Sequence, residues 1–303
     1  MCGRRYDDFI EKYITSTRKD YPRALLHFVS PFLFIGTLLF RSLTPLKEDF
    51  GLSNARRIID QYRDKVPMFN DGVQGTGCVT LAALMAGLHI IRTPMKGLRV
   101  LCFGAGSGAL GSLFRSHKPL LSNRISHSTM LINRYGMTLP RGALPNQRLT
   151  LMLRCVDKPG LLLKSKKDQF TTAQIPYARD NEELGDKPHE NLYDIVKEVK
   201  PHVLFGTSTK PGASTEEVVE DMASHVDRPV IFPLSNPTRL HEAQPLDIGN
   251  EGRALIATGS PFPPIEYNGT KYEVAECNNS TVSCGTKGST HLTGSCTPYG
   301  SGA

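Results

Sequence analysis

The stretch LRVLCFGAGSGALG, Leu98–Gly111, holds the residues best suited to chemistry. Val100, Leu101 and Phe103 form a short apolar run that suits a strand buried on both faces of a parallel sheet. Gly104-x-Gly106 then bares the backbone so that a pyrophosphate can approach, and the phosphate charge meets the N-terminal end of a following helix. Ala109 stands where a third glycine is usual, and Gly111 falls where the helix must pack close to the strand. Taken singly the pattern is weak, because glycine-rich turns between strand and helix also occur without a ligand. Asp157 ends the next apolar run. An acid there can hold both ribose hydroxyls of NAD and repel a 2′-phosphate. Its separation from Gly106 exceeds the usual ~20 residues, Lys158 adjoins it, and an Asp capping a turn is the commoner case.

Two further groups carry polar chemistry. Glu48-Asp49 and Asn70-Asp71 could build an all-oxygen site for Mg2+ or Mn2+. A hard ion there could chelate a 2-hydroxy or 2-oxo acid and act as an electron sink. Without other support these are ordinary surface carboxylates. Asn236 in LSNPT and Asn278-Asn279 in ECNNST are amides at strand ends. They suit hydrogen bonding to a substrate carboxylate or a nicotinamide carboxamide. Each read singly is a turn asparagine, and Asn236-Pro237 is a routine turn dipeptide.

The elements that must position these residues follow from periodicity. Tyr6–Tyr21 reads as a helix with Phe9, Ile10, Tyr13 and Ile14 on one face, and Asn54–Asp64 as a second with Ala55, Ile58, Ile59 and Tyr62. Asn70–Gly77 is polar and glycine-rich, hence a loop. Val79–Ile91 is apolar nearly all round, hence a buried helix. After the central strand come a strand at Leu151–Val156, a helix at Leu192–Val199 capped by Asn191, and a strand at His202–Gly206. Next is a helix carrying Val218, Val219 and Met222, started by a Ser214/Glu217 capping box. Strands at Pro229–Leu234 and Ala254–Thr258 complete the series. This alternation predicts an α/β fold, a doubly wound parallel sheet with helices.

Composition excludes several classes. The net charge of +7 comes from one segment. Ser107–Val156 holds no Asp or Glu but contains Arg115, Lys118, Arg124, Arg134, Arg141, Arg148 and Arg154. Without those seven, 29 basic residues face 29 acidic ones, so no basic surface for nucleic acid is expected. The apolar core of Val29–Lys47 is too short to span a bilayer. Cys78, Cys102 and Cys155 lie in apolar runs, as buried free thiols do, which fits a reduced, intracellular setting. Cys284, His291 and Cys296 match no zinc spacing, and the Gly/Ser/Thr-rich stretch from Ser283 is expected to be a disordered tail. Asp7, Asp8 and Glu11 argue against an acid-poor transit peptide, and no signal peptide is expected.

Together these stretches resemble the malic enzymes, decarboxylating malate dehydrogenases. The carrying text is KEDFGLSNARRIIDQYRDKVPMFNDGVQGTGCVTLAALMAGL (Lys47–Leu88), RVLCFGAGSGALG, CVDKPGLLLKSK, PLSNPTRLHEAQP, and ATGSPFPP with ECNNST. The resemblance implies a Rossmann-type domain at 72–282, preceded by a remnant of an N-terminal helical, catalytic domain at 1–71, with a tail at 283–303. It implies metal- and NAD(P)-dependent conversion of malate to pyruvate and CO2. Glu48, Asp49 and Asp71 would hold Mg2+ or Mn2+, and Asp71 would lie beside the family's catalytic lysine. Gly104, Gly106 and Ala109 would face the pyrophosphate, Asp157 the adenosine ribose, and Asn236, Asn278 and Asn279 malate. Cytoplasm or mitochondrial matrix would be the compartment, and a homo-oligomer the family's habit, with no nucleic acid and no membrane as partners.

The departures from the family matter as much. Gly72 stands where the family has a third metal-binding acid, and glycine has no side-chain oxygen. The family's general-acid Tyr and general-base Lys have no counterpart here, and most of its contact-forming parts are absent. Segments 29–47 and 112–154 and the tail interrupt family-like text abruptly, and we read them as non-coding or out-of-frame sequence. The chain alone is therefore expected to be impaired or inactive. Two alternatives stand beside this reading: a non-catalytic dinucleotide-binding protein, and a dehydrogenase of the same fold without decarboxylation.

Overall fold

The structure, a computed structural model, describes residues 3–22, 26–28, 52–94, 97–106, 152–172, 174–183, 191–249, 253–267 and 269–278. Glu48, Asp49, Ala109, Asn279, Cys284, His291 and Cys296, segments 29–47 and 283–303, and 112–151 of the segment 112–154 lie outside the described residues, whereas Met152, Leu153 and Arg154 of that segment form the start of a strand paired with Arg99–Leu101. Of Asp71 only the backbone is described.

The main sheet has seven strands among the described residues. In chain order they are β3 (Arg99–Phe103), β4 (Met152–Asp157), β5 (Gly160–Leu161), β6 (Val203–Gly206), β7 (Val230–Pro233), β8 (Leu255–Thr258) and β11 (Ala275–Glu276). Their spatial order is β11-β8-β7-β6-β3-β4-β5. Every pairing is parallel except β4 with β5, which closes one edge as an antiparallel turn.

Alternation along each strand explains the two layers of helix. Val100 and Cys102 of β3, Val203 and Phe205 of β6, and Val230 and Phe232 of β7 point to one face. There they meet Val79, Leu84 and Leu88 of α3 (Thr76–Ile90). Leu101, Leu204 and Ile231 point to the other face. There they meet α4 (Leu192–Val199), α5 (Glu216–His225) and Ile248 of α6 (Pro245–Gly249). A sheet apolar on both faces must be covered on both, which is the doubly wound arrangement the periodicity predicts. The helical run Gly72–Ile90 has the length and apolar composition of a membrane span. Val79, Leu84 and Leu88 pack into the first of these cores, while Leu81 and Ile90 are exposed.

A smaller cluster precedes the sheet. β1 (Leu26–Phe28) pairs in parallel with β2 (Met68–Asn70). Against them α1 (Arg4–Asp20) buries Tyr6, Ile10 and Ile14, and α2 (Leu52–Tyr62) adds Ile58 and Tyr62. Two short strands, β9 (Ile265–Tyr267) and β10 (Thr270–Tyr272), form a separate hairpin.

Three sequence-based expectations are corrected. Tyr13 is exposed, because the buried stripe of α1 runs through Tyr6 rather than Tyr13. Asn70–Gly77 is not a loop: Asp71–Gly75 is a π-helical turn that runs directly into α3. Asn70 starts it, its side-chain oxygen accepting from Val73 N at 2.9 Å while Gln74 Oε1 accepts from Asn70 N at 3.0 Å. This reciprocal pairing satisfies two donors that a helix start leaves open. The Ser214/Glu217 capping box does not form; the cap of α5 is Thr215, without a side-chain cap hydrogen bond. Ser214 is buried and gives its N–H to Glu242 O. Asn191 does cap α4, accepting from Asp194 N at 2.8 Å.

Candidate functional site at the carboxyl edge of the sheet

From β3 the chain crosses to β4 on one side, then returns to β6 on the other. Such a reversal opens a crevice beyond the carboxyl ends of the strands, where ligands of open α/β sheets bind. The residues immediately beyond β3 are Gly104, Ala105 and Gly106.

Gly104 is fixed from both sides. Its N–H donates to Val156 O at 2.9 Å, and its carbonyl accepts from Thr207 Oγ1 at 2.6 Å. Thr207 N donates to Phe103 O at 2.7 Å. Gly104 has φ +105°, and a Cβ there would lie 2.4 Å from Ser208 N. Only glycine satisfies both the backbone conformation and the close approach. At Gly106 an added Cβ would meet nothing within 4 Å among the described residues. One glycine thus locks the turn against β6, and at the next no described atom stands where a pyrophosphate would approach.

Asp157 stands at the end of β4, half-buried. Its Oδ1 accepts from Lys158 N at 2.8 Å and its Oδ2 from Gln174 Nε2 at 2.7 Å. Gln174 is buried and also donates to Ala105 O at 3.3 Å, while its Oε1 accepts from Thr171 N and Thr171 Oγ1. A single amide therefore ties the acid to the glycine turn. Sequence reading missed Gln174, which sits before a short 3-10 turn (Ile175–Tyr177) with no strand or helix periodicity to flag it.

Beyond the other strands, hydrogen bonds continue past each end. Leu234 N donates to Gly206 O, Gly259 N to Pro233 O, and Cys277 N to Thr258 O. A Cβ on Gly259 would lie 2.0 Å from Leu234 O, so the loops after β7 and β8 also touch backbone to backbone. This places Asn236, exposed after the end of β7, and Asn278, half-buried after β11, on the same edge as Gly104. Asn278 Nδ2 donates to Gly259 O at 2.7 Å. The Asn236-Pro237 peptide is cis. Next to Asn278, burial pushes the Cys277 thiol up to about 12, so it is an inert packing group rather than a nucleophile.

A second residue missed from sequence lies beneath the Asn236 corner. Glu242 is 0% exposed, and its Oε1 accepts from Ser208 N, Ser208 Oγ, Thr209 N and Ser235 Oγ. Acidic residues in turns ordinarily face water, so nothing in LSNPTRLHEAQP marks it as buried. Beside it His241 is 1% exposed, stacks edge-on against Phe262 at 4.9 Å, and has both ring nitrogens unpartnered among the described residues. Burial lowers its pKa.

Gly104, Gly106, Asp157, Asn236 and Asn278 are thus brought to one edge. Glu48, Asp49, Ala109, Asn279 and the Asp71 side chain are not described there. Among the described residues no group of three or more His, Cys, Asp or Glu could hold a metal ion. The backbone at Gly72 lies in the π-helical turn before α3.

Comparison with known proteins agrees with this geometry. Residues 73–288 match the family described as "Malic enzyme, NAD binding domain". NAD-dependent malic enzyme 3 of Bacillus subtilis is 40% identical over 92% of this chain and 44% of its own length. The mitochondrial NAD-dependent malic enzyme of Saccharomyces cerevisiae is 39% identical over 91% of this chain and 35% of its own. A malolactic enzyme of Lactiplantibacillus plantarum is 35% identical over 93% and 45% respectively. The chain therefore spans less than half the length of these relatives. Among solved structures, the NAD-dependent malic enzyme of Thermotoga maritima superposes with a TM-score of 0.56 at 16% identity, over 90% of this chain and 54% of that one. On this sequence match, and with the sheet that carries it, the chain belongs to the malic enzyme family.

Proposed function

We propose that this chain supplies the NAD-binding part of an enzyme that oxidatively decarboxylates malate to pyruvate and CO2. The observation that carries the reading is the convergence of Gly104, Gly106, Asp157, Asn236 and Asn278 at one carboxyl edge. Bound NAD supplies the hydride acceptor. The glycine turn admits its pyrophosphate, and Asp157, held by Gln174, accepts from the adenosine ribose hydroxyls. Its negative charge disfavours a 2′-phosphate, which supports NAD over NADP. Asn236 and Asn278 are the amides that would orient malate carboxylates beside the nicotinamide, with Asn279 next to them.

Residues 72–282 form the dinucleotide-binding domain in this reading, and 1–71 belong with the family's N-terminal domain. The separate small core of α1, α2, β1 and β2 supports that division. Glu48, Asp49 and Asp71 are proposed as Mg2+ or Mn2+ ligands on the resemblance alone, and Asp71 also as a catalytic-site residue, at the position beside the family's catalytic lysine. With Gly72 at a ligand position, no step is built on the metal. Malate and pyruvate are the proposed substrate and product.

The test is a titration with NAD+ followed by tyrosine fluorescence, then malate with Mn2+ and identification of the product as pyruvate or lactate. Saturable NAD+ binding with pyruvate formed supports the whole reading. Binding without turnover supports the non-catalytic dinucleotide-binding alternative. A chain that binds no NAD+ at millimolar concentration overturns both.

A further inference from the structure

We propose that Glu242 is a positioning residue that sets the Asn236 amide relative to the cofactor turn; this rests on the reading of Asn236 as a malate contact. Glu242 is fully buried, and no Lys, Arg or His pairs with it among the described residues. Its Oε1 instead gathers Ser208 N at 2.7 Å, Ser208 Oγ at 3.0 Å, Thr209 N at 3.1 Å and Ser235 Oγ at 2.5 Å. An ionised oxygen is the group suited to that many donors. The other oxygen, Oε2, has no hydrogen-bond partner among the described residues and lies against Gly206, where a Cβ would come within 2.7 Å of it. The missing side chain at Gly206 is what makes room for the carboxylate.

The four donors come from two loops with different neighbours. Ser208 and Thr209 follow Thr207, which holds the carbonyl of Gly104. Ser235 immediately precedes Asn236. Thr209 is β-branched yet has φ +57°, a conformation such residues rarely take. Its N–H is shared between Ser235 Oγ at 2.9 Å and Glu242 Oε1. Glu242 therefore fixes a bent loop and the Asn236 corner through one atom. The glycine turn has its own bonds to Val156 and Thr207, none of which involves residue 242. Loss of the charge should accordingly reach the substrate amide and spare the cofactor turn. A residue that merely supported the fold would move both ligands together or neither.

The test uses the full chain with Glu242→Gln, Ser235→Ala, the double variant and Asn236→Ala. NAD+ affinity is read by tyrosine fluorescence, and malate affinity by calorimetry with NAD+ and Mn2+ present. Glu242→Gln should leave the Kd for NAD+ within about twofold and weaken malate about tenfold. Ser235→Ala should weaken malate in the same direction, and the double variant should be no worse than Glu242→Gln. Malate binding unchanged in Glu242→Gln, or malate and NAD+ weakened equally, overturns the proposal. If Glu242→Gln does not give a cooperative melt, Ser235→Ala alone must show the split between ligands, and equal loss of both overturns the proposal. If Asn236→Ala leaves malate binding unchanged, or the unmutated chain binds none, the reading of Asn236 falls and this inference with it. If Asn236→Ala weakens malate and Glu242→Gln does not, only the positioning role is lost.

Discussion

The two edges of the sheet are built from the same strands but by different rules. At the amino edge, connections are short and self-sufficient. Arg99 Nε donates to Lys200 O, Arg99 N donates to His202 Nδ1, and His202 N returns a bond to Arg99 O. Gly97, with φ +79°, has nothing within 4 Å of an added Cβ, so it only turns the chain. At the carboxyl edge, backbones are pressed together at Gly104 and Gly259, Thr209 takes an unfavourable conformation, and Glu242 and His241 keep unpartnered buried atoms. A positive φ outside glycine and an unpartnered buried nitrogen also occur at the amino edge, at Lys200 and His225, so the backbone-to-backbone approaches at Gly104 and Gly259 are what set the carboxyl edge apart. The proposed NAD site would give those approaches a reason.

The difference can be broken most sharply at its glycines. Gly104→Ala meets both the positive φ and a backbone 2.4 Å away, and should destabilise the fold by about 3 kcal/mol or more and abolish saturable NAD+ binding. Gly97→Ala should cost about 1 kcal/mol and leave NAD+ affinity unchanged. Thermal melts with NAD+ titrations on both variants check this. Equal effects would mean that the two edges are equivalent.

A middle-sized effect is expected at Gln174. Gln174→Leu removes the donor to Asp157 Oδ2 and the link to Ala105 O. NAD+ binding should weaken about five- to tenfold, read by the same titration. Unchanged affinity would detach Asp157 from the cofactor site.

The smallest effect concerns pH. Burial, then the charge of Arg99, lowers the pKa of His202; burial also lowers that of His225, against the pull of Asp221. His241 shifts the same way. In the unfolded chain these groups titrate near 6.5, so below that pH the unfolded state binds more protons than the folded one. Stability should be level above that value and decline as pH falls from it through the lowered folded values. The Tm should drop by a few degrees between pH 7 and pH 5. His241→Phe should flatten part of this slope without loss of stability at pH 7, because neither ring nitrogen makes a hydrogen bond to lose. His202 lacks that tolerance, since its Nδ1 accepts from Arg99 N.

Much of the scaffold was legible in the chain. The apolar runs at 99–103, 152–156, 203–206, 230–233 and 255–258 are all strands, and Leu192, Ile195, Val196 and Val199 form the buried stripe of α4. The glycine turn and Asp157 could be recognised because each lies at the end of a strand that periodicity finds. Asn236 and Asn278 were legible only as possibilities, since an asparagine in a turn has many uses. The capping of α5 was misread because Ser214 is drawn inward by Glu242 O, a contact with no local signal.

By itself, the order of apolar and glycine residues determined the strands, the helices between them and the glycine turn after β3, because burial and backbone freedom act over a few residues. The partners of Gln174 and Glu242 were decided only by the tertiary structure. Gln174 reaches Ala105 across 69 residues and Glu242 reaches Ser208 across 34. Those separations close only once the strand order sets β4 on one side of β3 and β6 and β7 on the other, and no local preference of a glutamine or glutamate records that order.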